Sequence, residues 1–325
     1  MAPETVFAQP PVALASTLRA VLCMPPAVPP IASLAEWRRR DREAASCAPV
    51  DHATLAGFAA DRIGYAFASG YQAALRALDP SLGVVASFCA SEQGGAHPRA
   101  IEATLRRSDG HWVLDGGKRW ATLAPIAEVL LVVASTGIVE GRNQLRLARV
   151  ASARTGVAVE TMPAPAFAPE IPHGEIRFTG VLLTDDEVLP GDGYERYLRP
   201  FRTIEDVHVH AALLAYLVRV ARQQEWPFEI AEELVALLGA VHGLAREDPS
   251  APEVHVALGG VLRLGRPLFD RVDGLWRPED PAGRDRWLRD SALFGVAEHA
   301  RAARLASAWA RLAGEEPRPP TEESA

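Results

Sequence analysis

Between Val84 and Thr136 the chain abandons helical periodicity, and the residues that replace it allow few folds. Ile101, Ala103 and Leu105 alternate with Glu102, Thr104 and Arg106, the period-2 pattern of a half-buried strand. Asp109-Gly110 supplies a tight turn, Trp112–Leu114 answers as a second strand, and Asp115-Gly116-Gly117 reads as another turn. Ala127–Ala134 is a continuous apolar run, expected as a strand buried on both faces. Leu145–Val150, Val157–Thr161 and Glu175–Phe178 continue the strand pattern. A compact barrel of hairpins is the expected closure, because it removes exposed sheet edges.

Helical patterns flank this region. Ser33-Leu-Ala-Glu36 has the form of a capping box. Leu55, Phe58, Ile63, Phe67, Tyr71 and Leu75 recur at helical spacing over 53–78, and Asp79-Pro80 ends the run. Pro25–Pro30 is a stiff linker in front of these helices. After the strands, helices are expected over 201–224, 227–245, 252–272 and 284–312, with Pro227 in a first turn and Ser250-Ala-Pro-Glu253 as a second capping box. The expected domains are a helical 1–82, a strand-rich 83–194, a four-helix bundle over 195–313, and a disordered tail over 314–325.

Composition sets further limits. A net charge of −7 does not support a broad basic surface, which argues against nucleic acid as a partner. The cluster Arg38-Arg39-Arg40 with Arg42 reads as a solvated helix face. Three cysteines, an odd number without redox or metal spacing, argue against a disulfide framework. No apolar run is long enough to cross a bilayer, and Met1-Ala2-Pro3-Glu4 does not begin a leader, so a cytoplasmic protein is expected. His208 and His210 lie two apart on an expected helix and would point to different faces, so no metal site is assigned. The sequence has no nucleophile elbow, phosphate loop or dinucleotide fingerprint.

Two short stretches within the strand region carry a specific likeness. Phe88-Cys-Ala-Ser91-Glu-Gln-Gly94-Gly95 and Gly117-Lys-Arg-Trp120-Ala121-Thr122 resemble, in order and spacing, the flavin-holding loop and turn of the acyl-CoA dehydrogenase family. The resemblance, to a short and divergent member, implies an α+β fold of N-terminal helices, a middle β-barrel and a C-terminal four-helix bundle. It implies FAD as cofactor, held by Phe88, Ala90, Ser91, Gly94, Gly95, Trp120, Ala121 and Thr122. Ser91 stands where the family has a threonine hydroxyl on the ring, and Ala121 replaces a larger aliphatic residue. The loop departs from the pattern at His97, which replaces a serine, and at Pro98, which offers no amide where an aspartate normally stands. The family's adenine-side Gln-x-x-Gly-Gly motif is absent, and Val272-Asp-Gly-Leu-Trp276 occupies roughly that place.

The resemblance also implies the chemistry, α,β-desaturation of an acyl thioester, which needs a carboxylate to take the α-proton. Two positions qualify: Glu298, at the family's offset after Arg289-Asp290-Ser291, and Glu205 in Thr-Ile-Glu-Asp. A homo-oligomer, or assembly with a paralogous subunit, is implied in the same way. The departures leave two alternatives open. One is a non-catalytic scaffold or partner subunit that has lost full FAD binding; the other is a flavin-dependent hydroxylase on the same fold.

Overall fold

The computed structural model describes residues 13–315, so the reading of Met1–Glu4 and that of the tail beyond 315 fall outside the described residues. The chain opens with α1 (Leu14–Cys23), α2 (Leu34–Ala44), α3 (Pro49–Ala59) and α4 (Ile63–Leu78). Ser33 Oγ accepts the Glu36 amide at 3.2 Å, and the Glu36 carboxylate accepts the Ala32 amide at 2.9 Å, so the capping box closes one residue early. The run read as one helix over 53–78 is two helices. At the break Asp61 accepts the Ile31 amide at 3.1 Å and pairs with Arg62 at 2.7 Å, while Arg62 reaches the Ile31 carbonyl. These polar groups hold Ala60 and Arg62 in extended conformations that a helix cannot accommodate.

Among the described residues seven strands follow: β1 (Ala86–Cys89), β2 (Thr104–Ser108), β3 (His111–Thr122), β4 (Val129–Val139), β5 (Arg142–Ala151), β6 (Val157–Thr161) and β7 (His173–Leu183). They form one curled mixed sheet in the order β1-β4-β2-β3-β7-β6, with β5 also on β4. The expected hairpin barrel is thus this curled sheet, whose strand path ends at β6. β1 and β2 pair in parallel with successive parts of β4, at Ala86↔Val129 and Thr104↔Ser135. Asp109-Gly110 and Glu140-Gly141, all at positive φ, make the β2–β3 and β4–β5 turns. Asp115-Gly116-Gly117 does not turn, and β3 runs through it with a register shift. Asp115 Oδ1 accepts the Gly180 amide at 2.7 Å, and a Cβ on Gly116 would lie 2.7 Å from the Ala103 Cα, so these residues build a bulge. Leu105, Leu114, Leu130, Val132, Ile176 and Phe178 fill the core beneath the sheet.

The last region contributes α5 (Arg199–Gln223), α6 (Phe228–Leu244), α7 (Pro252–Val272), α8 (Pro281–Asp290) and α9 (Glu298–Leu312). The helix expected over 284–312 is broken by a 3-10 turn at Ser291–Gly295 and by Ala297 at φ 66°. That turn tucks Phe294 against Phe269 and Trp287, with ring centroids 4.1 and 5.9 Å away, which a continuous helix would not permit. The capping box expected at Ser250 does not form. α7 starts at Pro252, which has no amide to satisfy, and the Ser250 amide bonds instead to Asp248 at 2.8 Å.

Ser81–Arg202 forms one compact unit, and the helices on either side of it in sequence form the other. Within the helical unit α5 is buried almost all round, as a central helix must be. α3 and α4 reach it through glycines: a Cβ on Gly57 would lie 2.3 Å from the Ala212 carbonyl, and one on Gly70 would lie 2.7 Å from the Val209 Cα. Among the described residues no helix is long and apolar enough to cross a membrane.

Two outcomes follow for stability. Gly57→Ala gains about 1 kcal/mol in helix propensity, but the clash is with backbone, and overpacking costs about 1–3 kcal/mol or more. Urea unfolding should show the variant to be the less stable protein. Burial pushes His208 and His210 of α5 down to about 4. The unfolded chain binds those protons near the ordinary histidine value, so stability is intact above that value and falls as pH drops towards 4. Each histidine contributes on the order of 3 kcal/mol to that loss, readable as a falling thermal midpoint between neutral and acid pH.

Candidate functional site

The sheet unit brings the loop after β1 and the end of β3 together through one buried cation. Lys118 is 1% exposed; its Nζ lies 2.6 Å from Glu92 Oε1 and donates to the Ala90 carbonyl at 3.3 Å. The Glu92 carboxylate also accepts the amides of Glu102 and Ala103, at 2.8 and 3.1 Å. Burial lowers the Lys118 pKa, and Glu92 acts against that shift. The Arg119 amide donates to the Ser91 carbonyl at 2.8 Å, which places Ser91 beside the residue that precedes Trp120.

Trp120 occupies a register shift between Lys118 and Ala121, at φ 57° and 56% exposed. A bulky aromatic residue at positive φ is an outlier that its surroundings must enforce. Its indole meets the His173 ring edge-on, with centroids 6.4 Å apart. Ala121 is buried opposite Gly174, and Thr122 is half-buried opposite His173. Burial lowers the His173 pKa, leaving a neutral ring beside the indole at neutral pH.

Phe88 is buried and stacked on Phe201 with centroids 4.3 Å apart; Ala90 is buried and Ser91 half-buried. Gly94 and Gly95 lie in a tight exposed turn, in which Glu92 and Gly95 exchange both backbone hydrogen bonds at 3.0 Å. These residues offer a planar ring an exposed indole, a neighbouring hydroxyl and small residues that permit close approach. In residue type, that end suits a flavin ring. The segment beyond Gly95 is less suited to a pyrophosphate, since Pro98 has no amide and the Arg99 amide is taken by His97 Nδ1 at 3.2 Å.

The two candidate bases belong to the helical unit, and the structure does not bring them together. Glu298 opens α9 directly after Ala297, is exposed, and forms an ion pair with Arg266 of α7. It lines a cavity of about 550 Å³ that Glu205 does not line. Glu205 is half-buried on α5, next to Asp206. Burial raises the Asp206 pKa, but Arg301 at 2.7 Å and the adjoining Arg304 outweigh it and hold the carboxyl below its usual range. Among the described residues there is no cluster of three metal-ligating side chains.

Sequence reasoning missed the partners rather than the motifs. Glu92 and Lys118 both lie within the quoted stretches, 26 residues apart, and nothing local marks the lysine as buried. Arg266 and His210, which share the cavity with Glu298, carry no motif.

Residues 87–181 match the family described as acyl-CoA dehydrogenase, middle domain. No curated protein matches the sequence. Among solved structures the chain is similar to FMN-bound TdsC from Paenibacillus sp. A11-2, at 16% identity and TM-score 0.66 over 94% of this chain and 98% of that one. Glutaryl-CoA dehydrogenase from Mycobacterium smegmatis aligns at 16% identity and TM-score 0.65, over 93% and 94% of the two chains. PigA with FAD and proline aligns at 15% identity and TM-score 0.65, over 93% and 96%. At these identities the likeness is one of fold. The resemblance carried by Phe88–Ser91 and Trp120–Thr122 is borne out to that extent: the arrangement of helices, curled sheet and helices is acyl-CoA dehydrogenase-like.

The buried pair gives a direct test. Lys118→Met leaves the Glu92 carboxylate without its cation and should cost about 3–5 kcal/mol. Adding Glu92→Gln should recover part of that loss. Chemical denaturation of the single and double variants measures both effects, and equal stabilities for Lys118→Met and wild type would show that the pair holds nothing in place.

Proposed function

We propose that this protein is a flavin-dependent oxidoreductase that takes FAD and desaturates an acyl thioester between Cα and Cβ. The observation that carries the reading is Trp120, exposed at positive φ by a bulge tied to Ser91. The neighbours named with FMN and FAD support a flavin, and the one named for a CoA thioester supports the substrate class.

On this reading Ser91, Trp120 and Thr122 would hold the flavin ring, through hydroxyls and an indole wall, and Gly94 and Gly95 would let the backbone approach it. The bound flavin supplies the acceptor for the hydride equivalent leaving Cβ. Glu298 takes the α-proton on its carboxylate as the double bond forms, and Glu205 is the second candidate for that role. Arg266 positions the Glu298 side chain in the absence of substrate. Assembly with further copies, or with a paralogous subunit, and a cytoplasmic location belong to the same proposal.

One observation favours a second reading, a non-catalytic partner subunit without full FAD binding. The loop past Gly95 lacks the amide of Pro98, and His97 takes that of Arg99.

The visible spectrum of the purified protein, with and without added FAD, separates the two. Flavin uptake is expected, with Trp120→Ala weakening it at least tenfold. Glu298→Gln should lower thioester turnover about 10²–10⁴-fold, the usual contribution of a general base, while Glu205→Gln leaves it near wild type. A protein that takes up no flavin is the partner subunit; full activity in both glutamine variants would leave the base elsewhere.

A further inference from the structure

The cavity beside Glu298 is formed wholly by the helical unit and has a neutral aromatic floor under a charged rim. Phe269, Trp287 and Phe294 form the floor with His210. Phe269 and Phe294 lie with centroids 4.1 Å apart, and His210 meets Phe294 edge-on at 6.3 Å. Leu262, Arg266 and Phe269 follow helical spacing on α7, as Glu298, Ala302 and Leu305 do on α9, so each helix turns one face to the space. About 550 Å³ is within the range of small-molecule sites.

His210 is the polar group that gives the floor a chemistry. It is 4% exposed, and its Nδ1 lies 2.7 Å from the Asp206 carbonyl, which can only accept. Nδ1 is therefore the protonated nitrogen. Burial keeps the ring neutral at physiological pH, so Nε2 carries a lone pair. Among the described residues Nε2 has no hydrogen-bond partner, while Arg301 is already committed to Asp206 and the Phe294 carbonyl, and Arg266 to Glu298. An acceptor on a largely buried ring in an aromatic cavity favours a ligand that brings a donor over one that does not.

We propose that this cavity binds a flat aromatic molecule bearing an O–H or N–H donor, which is received by His210 Nε2 and stacked among Phe269, Phe294 and Trp287. The cavity also holds Glu298, the base of the flavin reading, so the two proposals share that residue; they differ in that no residue of the sheet unit lines the cavity and binding needs no flavin.

Calorimetric titration of the purified protein with 2-naphthol and with naphthalene tests it. Wild type should bind 2-naphthol at least tenfold more tightly than naphthalene. His210→Met should abolish that preference while naphthalene still binds. Ala302→Trp, an exposed helical position on the cavity wall, should reduce binding of both compounds at least tenfold without lowering the thermal midpoint. If His210→Met fails to fold, the wild-type preference and the Ala302→Trp titration decide. No 2-naphthol binding to wild type, equal affinity for the two compounds, or unchanged binding in Ala302→Trp overturns the proposal. Because the titrations are run with and without FAD, a loss of the flavin reading leaves this result standing, and the reverse also holds.

Discussion

A lysine ammonium sealed beneath a loop is the interaction on which the exposed face of the sheet unit depends. Removing Lys118 from water carries a desolvation cost of several kcal/mol, and the fold offsets it with the Glu92 carboxylate and the Ala90 carbonyl. The same carboxylate accepts two amides at the entrance to β2. One ion pair therefore fixes the loop after β1, the approach to β2 and the middle of β3 to one another. Trp120 lies two residues beyond this anchor. Its backbone strain, on the order of 1–3 kcal/mol, persists because the chain on one side is held by Lys118 and on the other by Ala121 under Gly174.

What could be read in the sequence is what local rules decide. The alternation over 101–106, the Asp109-Gly110 turn and the apolar run at 127–134 each gave a strand or turn near its place, because side-chain period and turn chemistry act over a few residues. Asp115-Gly116-Gly117 has the same turn chemistry and builds a bulge instead. The outcome is decided by Gly180, 65 residues away, and by the close approach of Ala103. The helix break at Ala60–Arg62 likewise depends on Ile31, and the break before α9 on the packing of Phe294 against Phe269. In each case a distant partner overrode a locally sound pattern. The site divides the same way. Ser91 and Trp120 stand in recognisable stretches, whereas the burial of Lys118 and the aromatic cavity beside Glu298 need residues from several segments and leave no local trace.

The non-glycine residues at positive φ sharpen this division, because some of them have an ordinary explanation. Asp109 and Glu140 form hairpin turns, and Glu225 ends α5, where the Trp226 amide reaches back to the Ala221 carbonyl as in a helix-terminating left-handed cap. Trp120, Leu123 and Ala297 have no such excuse. Trp120 and Leu123 bracket Ala121-Thr122, and Ala297 immediately precedes Glu298. A β-strand end and a helix start can both be made without left-handed residues, so each of these positions carries strain that its surroundings must offset. At Trp120 the result is an indole turned outward from a sheet that would otherwise bury it; at Ala297 it is a carboxylate set at the lip of a cavity. Left-handed backbone without a turn or helix-end explanation falls at Trp120, Leu123 and Ala297, and Ala168 adds a further positive-φ residue at 45°.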